Sequence, residues 1–416
     1  MDRFIPTNPA SFEPSQLAEL DDPYPVFRVL HAAGPSLRTA SGIHCVFGYA
    51  AANAILREPK FRTGPIAERF RQLLPAGAAR DELSHRINFL DPPDHPRVRG
   101  LVARAFTPAR VRDLHSFVAR KTEELLDAAE QEQSADDGTI DLRASLAHPL
   151  PSLVISEMLG VPLADRDQLT DWTEAVTPLL GVQIPQEGLE RALDASERFA
   201  EYAAALLEER RRHPGDDLLT AMVQAKDGVE QLSREELLSL VVTLYSAGHR
   251  TTRDLFTNGL FILLQHPDQY TAIVEDSSLV PGAINEFLRF ETPTQYVARV
   301  PVADVEIADC SISAFTPTLV LLAAANRDPS RFAEPDRFDV RRDEGAPLSF
   351  AVGPHHCLGA SLARMESEVM LAAVTRRWPR LTLTGPAPRW WSSGPFRGLN
   401  HLTVRTSEAR PSARAT

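Results

Sequence analysis

The stretch from residue 349 to residue 368 reads SFAVGPHHCLGASLARMESE and contains one of the chain's three cysteines. Gly353 and Pro354 signal a turn, and apolar residues from Leu358 onward recur at spacings of three and four, which predicts a helix. Cys357 therefore lies at a helix N-terminus, where unpaired N–H groups and the helix dipole stabilise an anion. A thiolate in this position serves as a soft metal ligand or as a nucleophile.

Four interpretations of Cys357 compete at this point. It can be a small apolar residue that fills a loop. A metal cluster with His355 and His356 is disfavoured, because adjacent side chains diverge and zinc ligands are spaced by two or more residues. A nucleophilic cysteine would need a histidine base from elsewhere in the chain, which the sequence leaves open. A single thiolate between Gly353 and Gly359 suits a flat macrocycle, because glycines let the loop lie against its plane.

Three other segments carry polar pairs. NEFLRF places Glu286 and Arg289 on one face of a helix, which alone indicates only a solvated surface bridge worth roughly a few tenths of a kcal/mol. AEPDRFDV follows with Arg337 between an acid and an aromatic residue. DPPDHPRVRGLV sets His95 and Arg99 four residues apart near a helix start.

The segment SAGHRTT places two small residues, Ala247 and Gly248, before the hydroxyls of Thr251 and Thr252. A glycine inside a helix costs about 1 kcal/mol relative to alanine, so its presence needs a reason. One reason is a bulky group that lies against the helix at this point, with a threonine hydroxyl facing it. The other is the close approach of a second helix, and this motif alone does not separate them.

The elements that position these residues are mostly helical. The longest helix begins at Ser233, where Glu236 completes a capping box, and runs to His266-Pro267. It is roughly 50 Å long, and its apolar middle predicts a central, buried position. Helices are also predicted over residues 108–132, 187–212 and 280–290, and short strands over 44–48, 296–302, 305–308, 318–324 and near the C-terminus. We expect a mostly α, α+β fold in a single domain over residues 1–416, with a small β-rich lobe and a disordered tail at about 407–416.

Composition excludes several classes of protein. The net charge of −12 argues against a general nucleic-acid binder. Three cysteines in 416 residues are too few for a disulfide framework and indicate a reducing compartment. The N-terminus has no apolar segment of signal-peptide or anchor length, so we expect a soluble, cytoplasmic protein without a membrane anchor.

The loop around Cys357 resembles the F-G-x-G-x-H-x-C-x-G signature of the cytochrome P450 family, of the soluble bacterial kind. The matching positions are Phe350, Gly353, His355, Cys357 and Gly359. The one departure is Ala351, where glycine is usual, and alanine fits without strain only if its φ is negative.

The other motifs extend this resemblance over essentially the whole chain. Glu286 and Arg289 match the family's E-x-x-R motif, and Arg337 matches its partner arginine. The resemblance implies that these three residues form a structural network behind a haem.

The same resemblance implies haem b as the cofactor, with Cys357 as the axial ligand of the iron. A thiolate in that role favours O–O cleavage. The residues implied as binders of the haem propionates are His355, His95, Arg99 and Arg299. Phe350 would pack near the sulfur, and Ala247 and Gly248 would lie against the haem.

The resemblance also implies a monomeric monooxygenase that inserts one oxygen atom from O₂ into an organic substrate. Electrons would come from a separate ferredoxin and ferredoxin reductase, since the chain has no flavin or iron–sulfur segment. Peroxide-driven oxidation, decarboxylation or oxidative coupling is an alternative reaction, and a haem protein without turnover is an alternative class.

Proton delivery to oxygen would use Thr251, with Thr252 beside it. Where the family usually has an acid before this threonine, the chain has Arg250, and an arginine cannot shuttle protons near neutral pH. Either Arg250 pairs with a carboxylate on an overlying helix, or it faces the pocket and binds an acidic substrate.

By resemblance, the substrate pocket is formed by residues 61–90, 172–185, 244, 247, 293–297 and the region of 396. Its composition fits a medium-sized natural-product scaffold. The arginines at positions 97, 104, 110, 112 and 364 are either a basic docking face for an acidic ferredoxin or scattered surface residues.

Overall fold

Helices account for most of the computed structural model, which describes residues 8–105, 108–132, 138–181, 186–227 and 230–406. Within these ranges the α-helices, α1 to α15 in chain order, span Tyr24–Ala33, Tyr49–Ile55, Gly64–Leu73, Ala78–His85, Asp94–Ala105, Pro108–Glu132, Pro149–Leu159, Arg166–Val176, Leu189–Arg212, Leu218–Gln224, Arg234–Leu264, Pro267–Glu275, Val280–Phe290, Leu322–Ala325 and Ala360–Arg377. Short 3-10 turns and one π-helical turn, Arg143–Ala147, connect some of them. The predicted mostly helical α+β fold is confirmed.

The strands are short and come from distant parts of the chain. In chain order, β1 to β14 span Ser36–Arg38, His44–Val46, Phe61–Arg62, Thr139–Asp141, Lys226–Asp227, Glu230–Gln231, Val297–Pro301, Val305–Ile307, Cys310–Ile312, Thr318–Val320, Leu381–Leu383, Trp390–Ser393, Phe396–Leu399 and Thr403–Thr406. The largest sheet has five strands in the order β1-β2-β10-β7-β3. Its β2 and β10 are parallel, while the other pairs are antiparallel.

The central helix α11 begins as its sequence predicts. The Ser233 side chain accepts the N–H of Glu236 at 3.1 Å, and the Glu236 carboxylate accepts the N–H of Ser233 at 2.8 Å. Most of the 31 residues of α11 are buried, because α4, α7, α8, α9, α13 and α15 pack around it.

One predicted strand is half wrong. Within the segment 318–324, only Thr318–Val320 forms a strand. The short helix Leu322–Ala325 follows it. Both parts are fully buried, so hydrophobicity does not tell them apart, and three consecutive alanines favour the helix.

Two apolar cores hold the site in place. The larger one surrounds α11, and a smaller one lies under the five-stranded sheet, where Val46, Ile55 and Val320 meet. The loop that carries Cys357 connects them, because Phe350 packs on the first core and Ala351 belongs to the second. In the described ranges, none of the helices combines the length and the hydropathy needed to cross a bilayer.

Candidate active site

The Cys357 loop is a tight turn held by its own backbone. Gly353–His355 forms a 3-10 turn, and the N–H of Cys357 donates to the backbone oxygen of Phe350 at 2.9 Å. The helix α15 begins at Ala360, two residues later than predicted. Cys357 thus precedes the first turn of a helix, as its sequence context indicates.

Cys357 is the accessible thiol of the three, since Cys45 and Cys310 are buried. Its thiol is accessible although protein encloses it, so it faces a recess rather than the outer surface. The enclosing protein raises the pKa of the thiol, while the N–H of Gly359 and the charge of Arg99 lower it. Burial raises the pKa of the Cys45 thiol to about 12. Of the three sulfurs, Cys357 is therefore the one placed to bind a ligand.

Glycines leave room beside this thiol. A Cβ atom at Gly359 would meet no atom of the described residues within 4 Å, so the loop borders open space on that side. Gly353 has a φ of +77°, and a Cβ there would lie 2.5 Å from the backbone oxygen of Leu56. Gly359 is therefore compatible with the expected flat surface for a macrocycle, whereas Gly353 is explained by its positive φ and its close approach to the backbone of Leu56.

Ala351 is strained. Its φ is +53°, in the left-handed region that favours glycine, while its N–H donates to the oxygen of Leu348 at 2.7 Å. The condition for a strain-free alanine, a negative φ, is therefore not met.

Four basic side chains converge near the loop. The rings of His95 and His355 are in contact, with centroids 4.0 Å apart and planes tilted by 37°. Arg99 and Arg299 act electrostatically on both histidines. Arg99 donates to the backbone oxygen of His356 at 2.7 Å, and Arg299 is 6% exposed. The four residues predicted to bind the propionates thus lie together.

This cluster lacks a matching anion among the described residues. Burial and the neighbouring positive charges lower the pKa of His95 to about 4 and that of His355 to about 2, and burial lowers that of Arg299 to about 10. Buried His95 Nε2 has no hydrogen-bond partner in this part of the chain. The carboxylate that acts on the cluster, Asp91, already accepts the N–H groups of Thr63 and Gly64. Two carboxylates of a bound cofactor would supply the missing partners.

One face of α11 opens toward accessible space although its flanks are buried. Ala247 is exposed, and Leu244, Gly248 and Thr251 are partly exposed. The Thr251 hydroxyl donates to the oxygen of Ala247 at 2.7 Å. Thr252 is 2% exposed and turned away from this space, so the structure does not support the role predicted for it.

Helix packing explains Gly248 without a ligand. A Cβ at this position would lie 3.1 Å from Cδ1 of Ile155 in α7. The close approach of two helices, one of the two interpretations of SAGHRTT, therefore applies to Gly248. The other interpretation remains for Ala247 and Thr251, which lie on the accessible face.

Arg250 pairs with a carboxylate from the overlying helix α8. Its Nη1 lies 3.3 Å from Oε2 of Glu174, and its guanidinium lies 4.2 Å from the centre of the Trp391 ring. Glu174 also accepts a hydrogen bond from Arg253 at 2.6 Å. The interpretation in which Arg250 pairs with a carboxylate on an overlying helix is thus correct about the partner. The sequence contains no indication that this partner is Glu174.

The predicted structural network contains Arg342 and not the side chain of Arg337. Glu286 and Arg289 form a bidentate pair, but the Arg337 side chain is 60% exposed and pairs with Glu334 at 3.2 Å. Arg337 contributes its backbone oxygen, to which Arg289 donates. Arg342 lies 3.5 Å from Glu286 and donates to that same oxygen, so the prediction for the Arg337 side chain is wrong.

The basic docking face is only partly available. Arg97 pairs with Asp94 and Glu236, and Arg110 lies 3.5 Å from Asp216. Arg364 donates to the side chain of Asn285 and lies over the Phe350 ring. Arg112 is exposed, and the side chain of Arg104 lies outside the described part of the structure.

This fold is that of the haem-thiolate enzymes. Residues 61–384 match the family model of cytochrome P450, so the chain belongs to the cytochrome P450 family and is a cytochrome P450 monooxygenase of the bacterial type. The family implies a haem whose iron is bound by a cysteine thiolate.

Named bacterial relatives cover most of the chain. Cytochrome P450 monooxygenase PikC from Streptomyces venezuelae is 39% identical over 409 residues, which cover 95% of this chain and 94% of PikC. The 6-deoxyerythronolide B hydroxylase of Saccharopolyspora erythraea is 38% identical over 316 residues, 76% of either chain. The crystal structure of CalO2 superposes with a TM-score of 0.88 at 33% identity and covers 96% of this chain and 99% of CalO2.

Proposed function

We propose that Cys357 is the axial ligand of haem b in a single-domain monooxygenase that hydroxylates or epoxidises a medium-sized natural-product scaffold. The observation that carries the proposal is the accessible Cys357 thiol near four basic side chains that lack a matching anion. The substrate class is supported by the names of two relatives, a 6-deoxyerythronolide B hydroxylase and a polyketide biosynthesis P450.

The bound haem would supply the iron that activates O₂. His95, Arg99, Arg299 and His355 would bind its two carboxylates and so fix its orientation in the recess. The N–H of Gly359 and the positive charge of Arg99 oppose the larger effect of burial on the pKa of Cys357. Bonding to the iron would supply the remaining stabilisation of the thiolate.

Proton supply is assigned to Thr251. Its Oγ1 now donates to Ala247, and rotation about one bond would turn the same hydroxyl toward water on the accessible face of α11. Arg250 cannot supply protons, because a guanidinium remains charged near neutral pH. The proton must therefore reach Thr251 through water rather than through the residue before it.

Electrons are proposed to come from a separate ferredoxin and its reductase. Arg112 is exposed. Arg364 lies over the ring of Phe350, whose backbone oxygen accepts a hydrogen bond from the N–H of Cys357. An acidic protein that docks at Arg364 would therefore be close to the loop that carries the thiol. Because Arg97 and Arg110 are already in ion pairs, we assign the docking to Arg112 and Arg364.

The proposal is tested with purified, haem-loaded protein, a surrogate ferredoxin and reductase, NADPH and isotopically labelled dioxygen. Polyketide-derived candidate substrates are first screened for shifts of the haem Soret band. We expect one labelled oxygen atom in the product of each binder that is turned over. Ligand binding without NADPH consumption would instead indicate a haem protein without monooxygenase turnover.

A further inference from the structure

Arg250 is a buried arginine whose donors are mostly unused. Its side chain is 6% exposed, and in the described part of the chain neither Nε nor Nη1 has a hydrogen-bond partner. The contact with Glu174 at 3.3 Å is an ion pair without hydrogen-bond geometry. Buried N–H groups without acceptors are costly, so this site calls for an additional acceptor.

Glu174 does not depend on Arg250. Arg253 donates to Oε1 of Glu174 at 2.6 Å, and this contact is the shorter of the two ion pairs. Arg253 also donates to Asp254 at 2.8 Å, and both of these side chains are 1% exposed. If Arg250 turned to another anion, Glu174 would therefore keep a partner.

The charges around Arg250 leave one positive charge in excess. The groups whose charges act on Arg250 are Glu174, Asp254, Arg253 and Arg143. With Arg250 itself, this makes three arginines against two carboxylates. The nearby His148 and His249 do not change the balance, because burial keeps the pKa of both low, that of His148 at about 4. Asp141 acts on Arg143 but is not among the main charges that act on Arg250, and it accepts the backbone N–H groups of Arg143 and Leu402.

Arg250 lies at the border between this charged cluster and the accessible face of α11. Ala247 and Thr251 are the two residues assigned to that face. Arg250 lies between them, three residues after Ala247 and directly before Thr251. Its guanidinium is 5.8 Å from the ring of Phe396, which forms an isolated β-bridge with Thr294 in the region expected to line the substrate pocket. The two unused nitrogens are enclosed in this conformation, so the guanidinium would have to turn from Glu174 toward the pocket to present its N–H groups to a substrate.

We infer that Arg250 binds a carboxylate of the substrate and so selects acidic substrates. The inference rests on the proposed monooxygenase and names the class of its substrates. A carboxylate satisfies the unused donors and balances the excess charge at once, whereas an ordered water would satisfy only the donors. Trp391 lies against the guanidinium, 4.2 Å from Cζ to the ring centre, and so limits where the group can turn.

The test compares acids with neutral molecules of the same shape. Straight-chain alkanoic acids of increasing length and their primary amides are titrated into the haem-loaded protein, with calorimetry and the Soret shift as readouts. We expect at least one acid to bind about tenfold more tightly than its amide. In Arg250→Gln the preference should fall to within about twofold, and Arg250→Lys should restore part of it.

Arg143→Gln is the matched control. It removes the same charge from the same cluster, from a residue whose Nε also lacks a partner within the described residues. Direct binding by Arg250 predicts that this variant keeps the preference for acids. An equal loss in both variants, or no acid that binds more tightly than its amide to the unaltered protein, would overturn the inference. The ferrous–CO spectrum of the same samples reports separately on the haem-thiolate assignment.

Discussion

Glu286 accepts two hydrogen bonds from Arg289, both 2.7 Å long, and each of the two side chains is 2% exposed. The same carboxylate accepts the N–H of Asp339 at 2.9 Å. This residue therefore ties α13 to the segment that leads toward the Cys357 loop.

Glu286→Ala should lower the free energy of unfolding by about 3–5 kcal/mol, because it leaves Arg289 buried without its counter-charge. Urea unfolding measures the change, and the yield of haem-loaded protein should fall with it. Glu334→Ala is the control, since the Glu334–Arg337 pair is 72% and 60% exposed and its loss should cost less than about 1 kcal/mol. Equal effects of the two substitutions would contradict the network.

Arg342→Ala and Arg337→Ala separate the two arginines of this segment. Arg342 donates to the backbone oxygens of Ala333 and Arg337 at 2.7 and 2.9 Å. Its removal should cost about 2–3 kcal/mol, because those acceptors lose charged donors. Removal of the exposed Arg337 side chain should cost less than about 1 kcal/mol by the same unfolding measurement. A larger loss of stability in Arg337→Ala than in Arg342→Ala would instead support the prediction from sequence that the Arg337 side chain belongs to the network.

Cys357→Ser should abolish the red-shifted ferrous–CO band that marks thiolate ligation. The change replaces the accessible sulfur and should leave the geometry of the turn unaltered, since the hydrogen bond from the backbone N–H of residue 357 to Phe350 does not involve the side chain. Cys45→Ser and Cys310→Ser should retain the band, because both thiols are buried elsewhere. Retention of the band in Cys357→Ser would remove the basis of the haem assignment.

Thr251→Ala should uncouple the enzyme. NADPH consumption should continue while peroxide release rises and product per NADPH falls, because the hydroxyl on the accessible face of α11 is lost. Thr252→Ala is the matched control one residue away, and its buried hydroxyl should leave the coupling unchanged. Unaltered coupling in Thr251→Ala would show that proton supply uses another route.

Ala351→Gly should stabilise the Cys357 loop. The left-handed conformation costs a non-glycine residue about 1 kcal/mol, and the greater freedom of glycine in the unfolded chain offsets part of the gain. We expect a net increase of up to about 1 kcal/mol in the free energy of unfolding. Ala351→Val should destabilise instead, since a branched side chain is worse at a φ of +53°. A less stable glycine variant would contradict the strain.

Sequence patterns predicted the helices that carry local signals. The capping box at Ser233 and the proline at 267 bound the long helix, and α6 and α13 were delimited by their amphipathic spacing. Strands were predicted less well, because short buried segments lack a period that separates them from helix.

Long-range partners could not be predicted. Nothing near Arg250 in the sequence indicates Glu174, which is 76 residues away and reaches it only when α8 packs on α11. The choice between Arg337 and Arg342 also depends on how the chain turns after α14. The additional prediction for Thr252 could have been avoided, because Thr251 and not Thr252 follows Ala247 by four residues and so shares its helical face.

The accessible thiol of Cys357 has a consequence for the newly made chain before it acquires haem. Until then the prospective ligand is open to oxidants, and oxidation beyond sulfenic acid would permanently remove it. Burial raises the pKa of this thiol, so little of it is thiolate, the form that oxidants attack. The recess proposed to receive the cofactor would thus also slow the damage that would prevent its binding.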